Sequence, residues 1–99
     1  MTDNIRRIEE MEALMDECRV ILDELEGSLD RLDEFREKMG ELFSYYGSEE
    51  WYEDRDLTLP ADVRAGVLSE DLVYDEITDA RDMAIRMLEL ATDILKNRI

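Results

Sequence analysis

The chain has 99 residues, enough for one small domain, and 40% of them are charged, with a net charge of −16. This charge argues against direct binding to nucleic acid or to an anionic membrane, because both would repel it, and it leaves a basic protein partner open. A hydrophobic content of 44% with four Gly and one Pro is too apolar for a disordered tail and favours long amphipathic helices.

The cysteine content and the N-terminal residues indicate the compartment. Cys18 is the one cysteine, so no internal disulfide can form, which suits a reducing interior. The first ten residues lack the apolar segment of a secretory signal, and nowhere do 18 apolar residues follow one another. We therefore expect a cytoplasmic protein with no membrane contact.

The first predicted element is a helix over residues 3–46. Apolar side chains recur at alternating three- and four-residue steps, interrupted only by Arg36, which is typical of a coiled-coil heptad repeat. The a positions are 8, 15, 22, 29, 36 and 43, and the d positions are 11, 18, 25, 32, 39 and 46. The g positions add Leu14, Ile21, Phe35 and Leu42, so the apolar face is wider than a two-stranded coiled coil requires.

Gly27-Ser28 could interrupt this helix, with Gly27 after the end of one helix and Ser28 as the N-cap of the next. The heptad phase continues through the pair, however, and a chain reversal would have no reason to preserve it. Gly27 also falls on the outward f position, where it costs about 1 kcal/mol of helix propensity but no packing. We prefer one continuous helix to a helical hairpin at this point.

A connecting segment is predicted over residues 47–68. Gly47 ends the first helix, and the charged run 49–56 is interpreted as loop. Pro60 suits the first position of a short helical turn over 60–65, which Gly66 closes.

The third predicted element is a helix over 69–97, with Ser69 as N-cap and acidic residues in its first turn, where the helix dipole favours them. At about 40 Å it is shorter than the first helix. Folded back as an antiparallel hairpin, it covers only the later part of that helix. The sequence therefore predicts one all-α domain, 1–99, that assembles as a homodimer or higher helical bundle. The oligomer-interface candidates are Ile5, Ile8, Met11, Met15 and Cys18.

The residues that usually carry chemistry are scarce. The chain has no histidine, and Cys18 occupies a d position, which predicts a buried and inert thiol. No glycine-rich phosphate-binding motif occurs. Asp54-x-Asp56-x-Thr58 begins like a calcium loop, but Leu59 stands where that loop requires glycine. We therefore predict no catalytic residue, no metal site and no cofactor.

The aromatic cluster SYYGSEEWYED, residues 44–54, has two interpretations. In the structural one, Phe43, Tyr46 and Trp51 form a small core that seals the bend between the helices. In the functional one, exposed aromatic rings with an acidic rim bind a basic protein partner. The partner-binding candidates are Tyr45, Trp51, Tyr52, Glu49, Glu50, Glu53 and Asp54.

Three segments resemble a known family: RIEEMEALMDE at 7–17, YYGSEEWYED at 45–54 and LPADVRAGVLSEDLVYDEI at 59–77. Together they are similar to a family of small bacterial proteins known only as a domain of unknown function, number 4298. The resemblance extends over essentially the whole chain. It implies a small helical bacterial protein and carries no activity, cofactor or catalytic residue.

Three functional hypotheses follow, the weakest of which is an enzyme that uses surface carboxylates with a divalent ion. The first is a non-enzymatic protein–protein interaction or structural module, favoured by the long apolar face and the aromatic cluster. The alternative is an acidic nucleic-acid mimic that inhibits a basic DNA- or RNA-binding protein, and it requires carboxylates at duplex-like intervals on one face.

Overall fold

A computed structural model of the protein describes residues 1–97 and 99. Three α-helices follow one another along the chain: α1 (Thr2–Tyr45), α2 (Glu49–Arg55) and α3 (Leu72–Leu95). One turn of 3₁₀-helix, Gly66–Leu68, precedes α3, and the described residues include no β-strand. The predicted all-α class is confirmed. None of the helices among these residues combines the length and the apolarity that crossing a bilayer requires.

The chain divides into two compact units, Met1–Glu37 and Lys38–Ile99. The first unit, the N-terminal unit, consists almost entirely of α1. The second, the C-terminal unit, contains the last residues of α1 together with α2, the 3₁₀ turn and α3.

In the N-terminal unit, α1 runs without a break through Gly27-Ser28. A Cβ atom at Gly27 would meet nothing within 4 Å, as expected of an outward f position. Exposed ion pairs form on the surface of α1 between residues one helical turn apart, among them Arg19–Asp23 at 3.0 Å and Arg36–Asp33 at 2.9 Å. No side chain of α1 is buried. Cys18 is exposed in the single chain, so its predicted burial depends on a second copy and stays a prediction.

In the C-terminal unit, α1 ends at Tyr45, one residue before the predicted end. Gly47 has a φ of +77°, the left-handed conformation that terminates helices and that glycine adopts without strain. The amide of Ser48 donates to the Tyr45 carbonyl at 3.0 Å and so satisfies one of the carbonyl groups left free at the helix end.

The interpretation of residues 49–56 as loop is wrong, because most of this run forms α2. The hydroxyl of Ser48 accepts a hydrogen bond from the Trp51 amide at 3.2 Å, which is the N-cap bond. Glu49 and Glu50 occupy the first turn and Arg55 the last, as the helix dipole favours. The same charges that suggested a solvated loop stabilise a short helix.

The predicted helical turn over 60–65 is also wrong. Residues 60–63 form only an isolated turn, in which the Val63 amide donates to the Pro60 carbonyl at 3.1 Å. The helical turn of the connection lies later, at Gly66–Leu68.

The third helix begins at Leu72 and ends at Leu95, inside the predicted bounds of 69–97. The N-cap is Asp71, and its side chain makes no capping bond. Ser69 instead ends the 3₁₀ turn: its amide donates to the Gly66 carbonyl at 3.0 Å, and its hydroxyl accepts from the Asp71 amide at 3.2 Å. These bonds hold residues 69–71 in a turn and delay the start of α3.

Only two hydrophobic side chains are buried among the described residues, Trp51 and Val73, each 2% exposed. Both belong to the C-terminal unit. Apolar side chains along α3 remain open, such as Met87 at 39% and Ile94 at 54% exposure. Packing of α3 along α1 as a hairpin therefore stays a prediction.

Candidate functional site

Trp51 lies at the centre of the aromatic cluster in the C-terminal unit. Its indole N–H donates to the carbonyl of Val67 at 2.8 Å, which ties α2 to the 3₁₀ turn. The rings of Tyr46 and Tyr52 each approach the indole edge-on, with centroids 5.0 Å away. Such pairs stabilise by about 0.5–1.5 kcal/mol beyond the area that they bury. Trp51 thus satisfies its polar atom and buries its ring at the same time.

Tyr46 connects the end of α1 to the residues before α3. Its hydroxyl donates to the backbone carbonyl of Glu70 at 2.6 Å, while its ring lies against Trp51. Because this carbonyl lies just before the N-cap Asp71, the bond fixes the point from which α3 starts.

Arg55 covers the indole on α2. Its guanidinium carbon lies 4.6 Å from the centroid of the Trp51 ring, within the range of a cation–π interaction. The same guanidinium pairs with the carboxylate of Glu70 at 3.3 Å. Sequence reasoning missed both contacts. The signal was available in the spacing, because Arg55 follows Trp51 by four residues and therefore shares its helix face.

Tyr45 and Asp54 form the shortest side-chain bond of the cluster. The phenol of Tyr45 donates to Oδ2 of Asp54 at 2.6 Å. This hydrogen bond to a carboxylate raises the pKa of Tyr45 to about 12, with smaller contributions from burial and from the negative charges of Asp54 and Glu50. Tyr45, a partner-binding candidate, is half-buried and its hydroxyl is engaged within the chain, which makes it less available to a partner than Tyr52.

The predicted partner-binding residues therefore separate into two groups. Trp51 is buried, and Tyr45 and Asp54 are half-buried and bonded to each other. Tyr52 is 57% exposed, although its ring edge touches Trp51. The other members are exposed glutamates on α2: Glu49, Glu50 and Glu53. Tyr52 with these three glutamates forms the acidic aromatic patch.

The second candidate surface is the apolar stripe of α1. We define it as the apolar a, d and g residues of the N-terminal unit from Ile8 to Leu32. Its members are Ile8, Met11, Leu14, Met15, Cys18, Ile21, Leu22, Leu25, Leu29 and Leu32. Cys18 is exposed, and the other nine side chains are between 36% and 59% exposed. Ile5, the remaining interface candidate, lies one turn before the stripe and is 52% exposed.

Among residues 1–97 and 99, no three histidine, cysteine or carboxylate side chains stand close enough to hold a metal ion. Within the same residues, every buried side-chain nitrogen and oxygen atom has a hydrogen-bond partner. The buried polar atoms of the cluster around Trp51 are therefore all satisfied within the chain.

These features define a small all-α protein with a heptad-patterned first helix and an aromatic junction centred on Trp51. The chain belongs to the DUF4298 family, a domain of unknown function, whose model matches residues 8–90. The match begins at the first residue of the stripe and includes the whole aromatic junction. This confirms the resemblance seen in the sequence. A comparison with curated proteins finds no match.

Proposed function

We propose that this protein is a cytoplasmic, non-enzymatic interaction module of bacteria that associates with a second copy of itself through the apolar stripe of α1. The exposure of that stripe is the observation that carries the proposal. Ile8 and Met15, near its start, are 59% and 58% exposed, and Leu25, near its middle, is 49% exposed. Side chains spaced at heptad intervals are suited to pack against another helix with the same spacing.

The size of the stripe supports self-association. A soluble monomer rarely exposes a contiguous apolar patch larger than a few hundred Å². A standard protein–protein interface buries about 800 Å² on each partner. Ten side chains along seven turns of helix, each about half exposed, supply an area of this order. Burying a Leu, Ile or Met side chain completely stabilises by about 1.5–3 kcal/mol, so half-exposed side chains supply about half of that each.

The non-enzymatic part of the proposal is supported by the residue inventory. The chain has no histidine, the commonest general base, and its one cysteine lies on the stripe. The carboxylates are spread over solvent-exposed helix faces and, in Asp54, engaged by a tyrosine.

Charge density favours the interaction module over the nucleic-acid mimic. Residues 1–46 carry 14 acidic and 6 basic side chains, a net charge of −8. Over a helix about 66 Å long this is one net negative charge per about 8 Å. Duplex DNA carries one charge per about 1.7 Å, so α1 is several times less densely charged than the molecule that it would imitate.

The self-association is tested by placing a charge on the stripe and, separately, on the opposite face. Leu25→Glu adds a carboxylate at a d position, whereas Val20→Glu adds one at an f position of similar exposure, 49% against 54%. We expect the wild type and Val20→Glu to sediment as dimers or larger species and Leu25→Glu to dissociate toward monomer. Far-ultraviolet circular dichroism checks that the two variants have equal helix content.

A clean monomer mass for the wild type at micromolar concentration would contradict the proposal. It would show that the exposed stripe alone does not hold two copies together.

The acidic aromatic patch is proposed as the contact for a basic protein partner. Tyr52 presents a large ring beside three exposed carboxylates, the combination that suits Arg- and Lys-rich surfaces. Tyr74 on α3 is a matched control, because it is 58% exposed and lies outside the patch. We expect Tyr52→Ala, and not Tyr74→Ala, to lose basic proteins that wild-type protein retains from a host extract. Equal loss in both variants, or in neither, would remove the patch from the proposal.

A further inference from the structure

We propose that two copies of the stripe pair in antiparallel orientation, with Leu22 of one copy opposite Leu25 of the other. This inference rests on the proposed self-association and deepens it by assigning the partner, its direction and its register. It is argued from the residues that flank the stripe and from the length of α1.

The register uses the whole stripe. With Leu22 opposite Leu25, an antiparallel partner also places Cys18 opposite Leu29 and Met15 opposite Leu32. Each a residue then faces a d residue of the second copy, which is the layer arrangement of antiparallel coiled coils. The two-fold axis passes between residues 23 and 24, the centre of α1 (Thr2–Tyr45). Overlap of the two helices is therefore maximal.

Arg36 argues against a parallel pair. It is the one charged a residue within the heptad repeat, and its side chain is largely exposed in the single chain. A parallel, in-register pair would place the two Arg36 side chains against each other in a core layer. In the antiparallel register Arg36 instead lies opposite Met11 of the second copy, beside Glu12. Removal of like charges from the core layer favours the antiparallel pair.

The e positions disfavour one alternative antiparallel register. In the proposed register Arg19 faces Glu26 of the second copy, and the two-fold axis repeats this attractive pair. Sliding the partner by one heptad toward the N-terminus brings Arg19 against Arg19 and Glu12 against Glu26, which are repulsive pairs. Charged e and g residues commonly determine orientation and partner choice in this way.

One kind of like-charge pair remains in the proposed register, Glu12 with Asp33 of the second copy, and the two-fold axis repeats it. Asp33 is already bound by the guanidinium of Arg36 at 2.9 Å. Because Arg36 lies in the same layer as Glu12 of the second copy, it separates and neutralises the two carboxylates.

The g positions account for the width of the apolar face. In this register Leu14 faces Phe35 of the second copy on the side opposite the charged e residues. Phe35 is 53% exposed and Leu14 is 56% exposed in the single chain. Shifts of the partner helix by more than one heptad leave one end of the stripe without a partner. A shift in one direction leaves Leu29 and Leu32 unpaired, and a shift in the other leaves Ile8 and Met11 unpaired.

Cys18 provides the test, because it is the only cysteine and lies on the stripe. A disulfide needs Cα atoms within about 7 Å. In the proposed register the two Cys18 residues are offset by 11 positions, about 16 Å along the helix axis, and cannot be joined. In a parallel pair they would be adjacent. The test compares three purified proteins: the wild type, Leu29→Cys and the double variant Cys18→Ser/Leu29→Cys. Each is oxidised under mild conditions, and the fraction of covalent dimer is measured.

We expect only Leu29→Cys to form a covalent dimer, through Cys18 of each copy and the new thiol of the other. Cross-linking of the wild type or of the double variant to the same extent would overturn the antiparallel orientation while leaving self-association intact. The variant Cys18→Ser/Met15→Cys/Leu32→Cys repeats the test at another layer. It keeps the test decisive if Leu29→Cys alters helix content.

The mass of the reduced proteins separates the two proposals. A dimeric mass with no covalent dimer from either paired-cysteine variant would overturn this register alone. A monomeric mass would overturn the self-association and the inference together.

Discussion

Trp51 organises the C-terminal unit because both of its chemical parts are satisfied. Its N–H reaches the Val67 carbonyl, and its ring is enclosed by tyrosine edges and by the Arg55 guanidinium. The sequence left two roles open for Trp51, sealing the bend and contacting a partner, and its burial favours the sealing role. It could not predict the acceptor, because Val67 acts through a backbone carbonyl, which any residue could supply.

Tyr45 provides a prediction about alkaline pH. Its pKa is raised from 10.0 to about 12 because the neutral phenol donates to the Asp54 carboxylate and ionisation would place two anions together. The folded state holds this proton more tightly than the unfolded chain. The bond therefore stabilises fully below about pH 10, and its contribution is lost as pH rises from about 10 to 12. We expect the tyrosinate absorbance of wild type minus Tyr45→Phe to titrate with a midpoint near pH 12.

Asp54→Asn is the control for this titration. It keeps a hydrogen-bond acceptor but removes the negative charge, so the midpoint for Tyr45 should fall toward 10. A wild-type difference curve that already titrates near pH 10 would show that the bond to Asp54 is absent in solution. The heptad position of Tyr45 predicted only which side of α1 it occupies. The sequence could not predict this hydrogen bond, because Asp54 lies on α2 and the charged run that forms α2 was interpreted as loop.

At the scale of elements, replacement of glycine by alanine should have opposite effects inside α1, at Gly27, and just after its end, at Gly47. Gly47 has a φ of +77°, and Gly27 lies inside α1, yet an added Cβ meets no atom within 4 Å at either position. Only backbone conformation therefore differs. We expect Gly47→Ala to destabilise the C-terminal unit by about 1–2 kcal/mol and Gly27→Ala to stabilise the helix by up to about 1 kcal/mol.

The effects of the two substitutions are measured by different methods, one for each unit. All four tyrosines and Trp51 belong to the C-terminal unit, so the tyrosine and tryptophan bands of the near-ultraviolet circular dichroism follow that unit during thermal unfolding. Amide hydrogen exchange around residue 27 follows the N-terminal unit. A neutral Gly47→Ala would mean that α1 does not end in the left-handed conformation.

The elements differ in how well the sequence predicted them, and length explains the difference. The first helix was predicted almost to the residue, because a pattern sustained over five heptads outweighs a single glycine. The seven residues of α2 are too few for a periodic pattern, so the charged run was interpreted as loop although Ser48 and the acidic first turn are signals of a helix start. The start of α3 was displaced because the Tyr46 hydroxyl and Ser69 hold the preceding residues in a turn.

At the scale of the whole molecule, the stripe and the net charge oppose each other. The apolar side chains of α1 favour association, whereas a net charge of −16 on each copy resists it. Composition and heptad phase predicted both forces from the sequence. They did not predict the balance between them, because pairing of e and g residues depends on the orientation and register of a second copy. This balance is open to experiment through ionic strength.

We expect added salt to tighten self-association several-fold. The Debye length falls from about 30 Å at 0.01 M salt to about 8 Å at 0.15 M, which screens the repulsion between the two acidic copies but hardly affects apolar burial. The variant Glu10→Gln/Glu17→Gln removes two exposed carboxylates at c positions, away from the stripe. It should associate more tightly than wild type at low salt and respond less to added salt, as sedimentation equilibrium would measure. If salt instead weakened association, attractive pairs such as Arg19 with Glu26 would outweigh the net repulsion, and the dimer would be held mainly by charge.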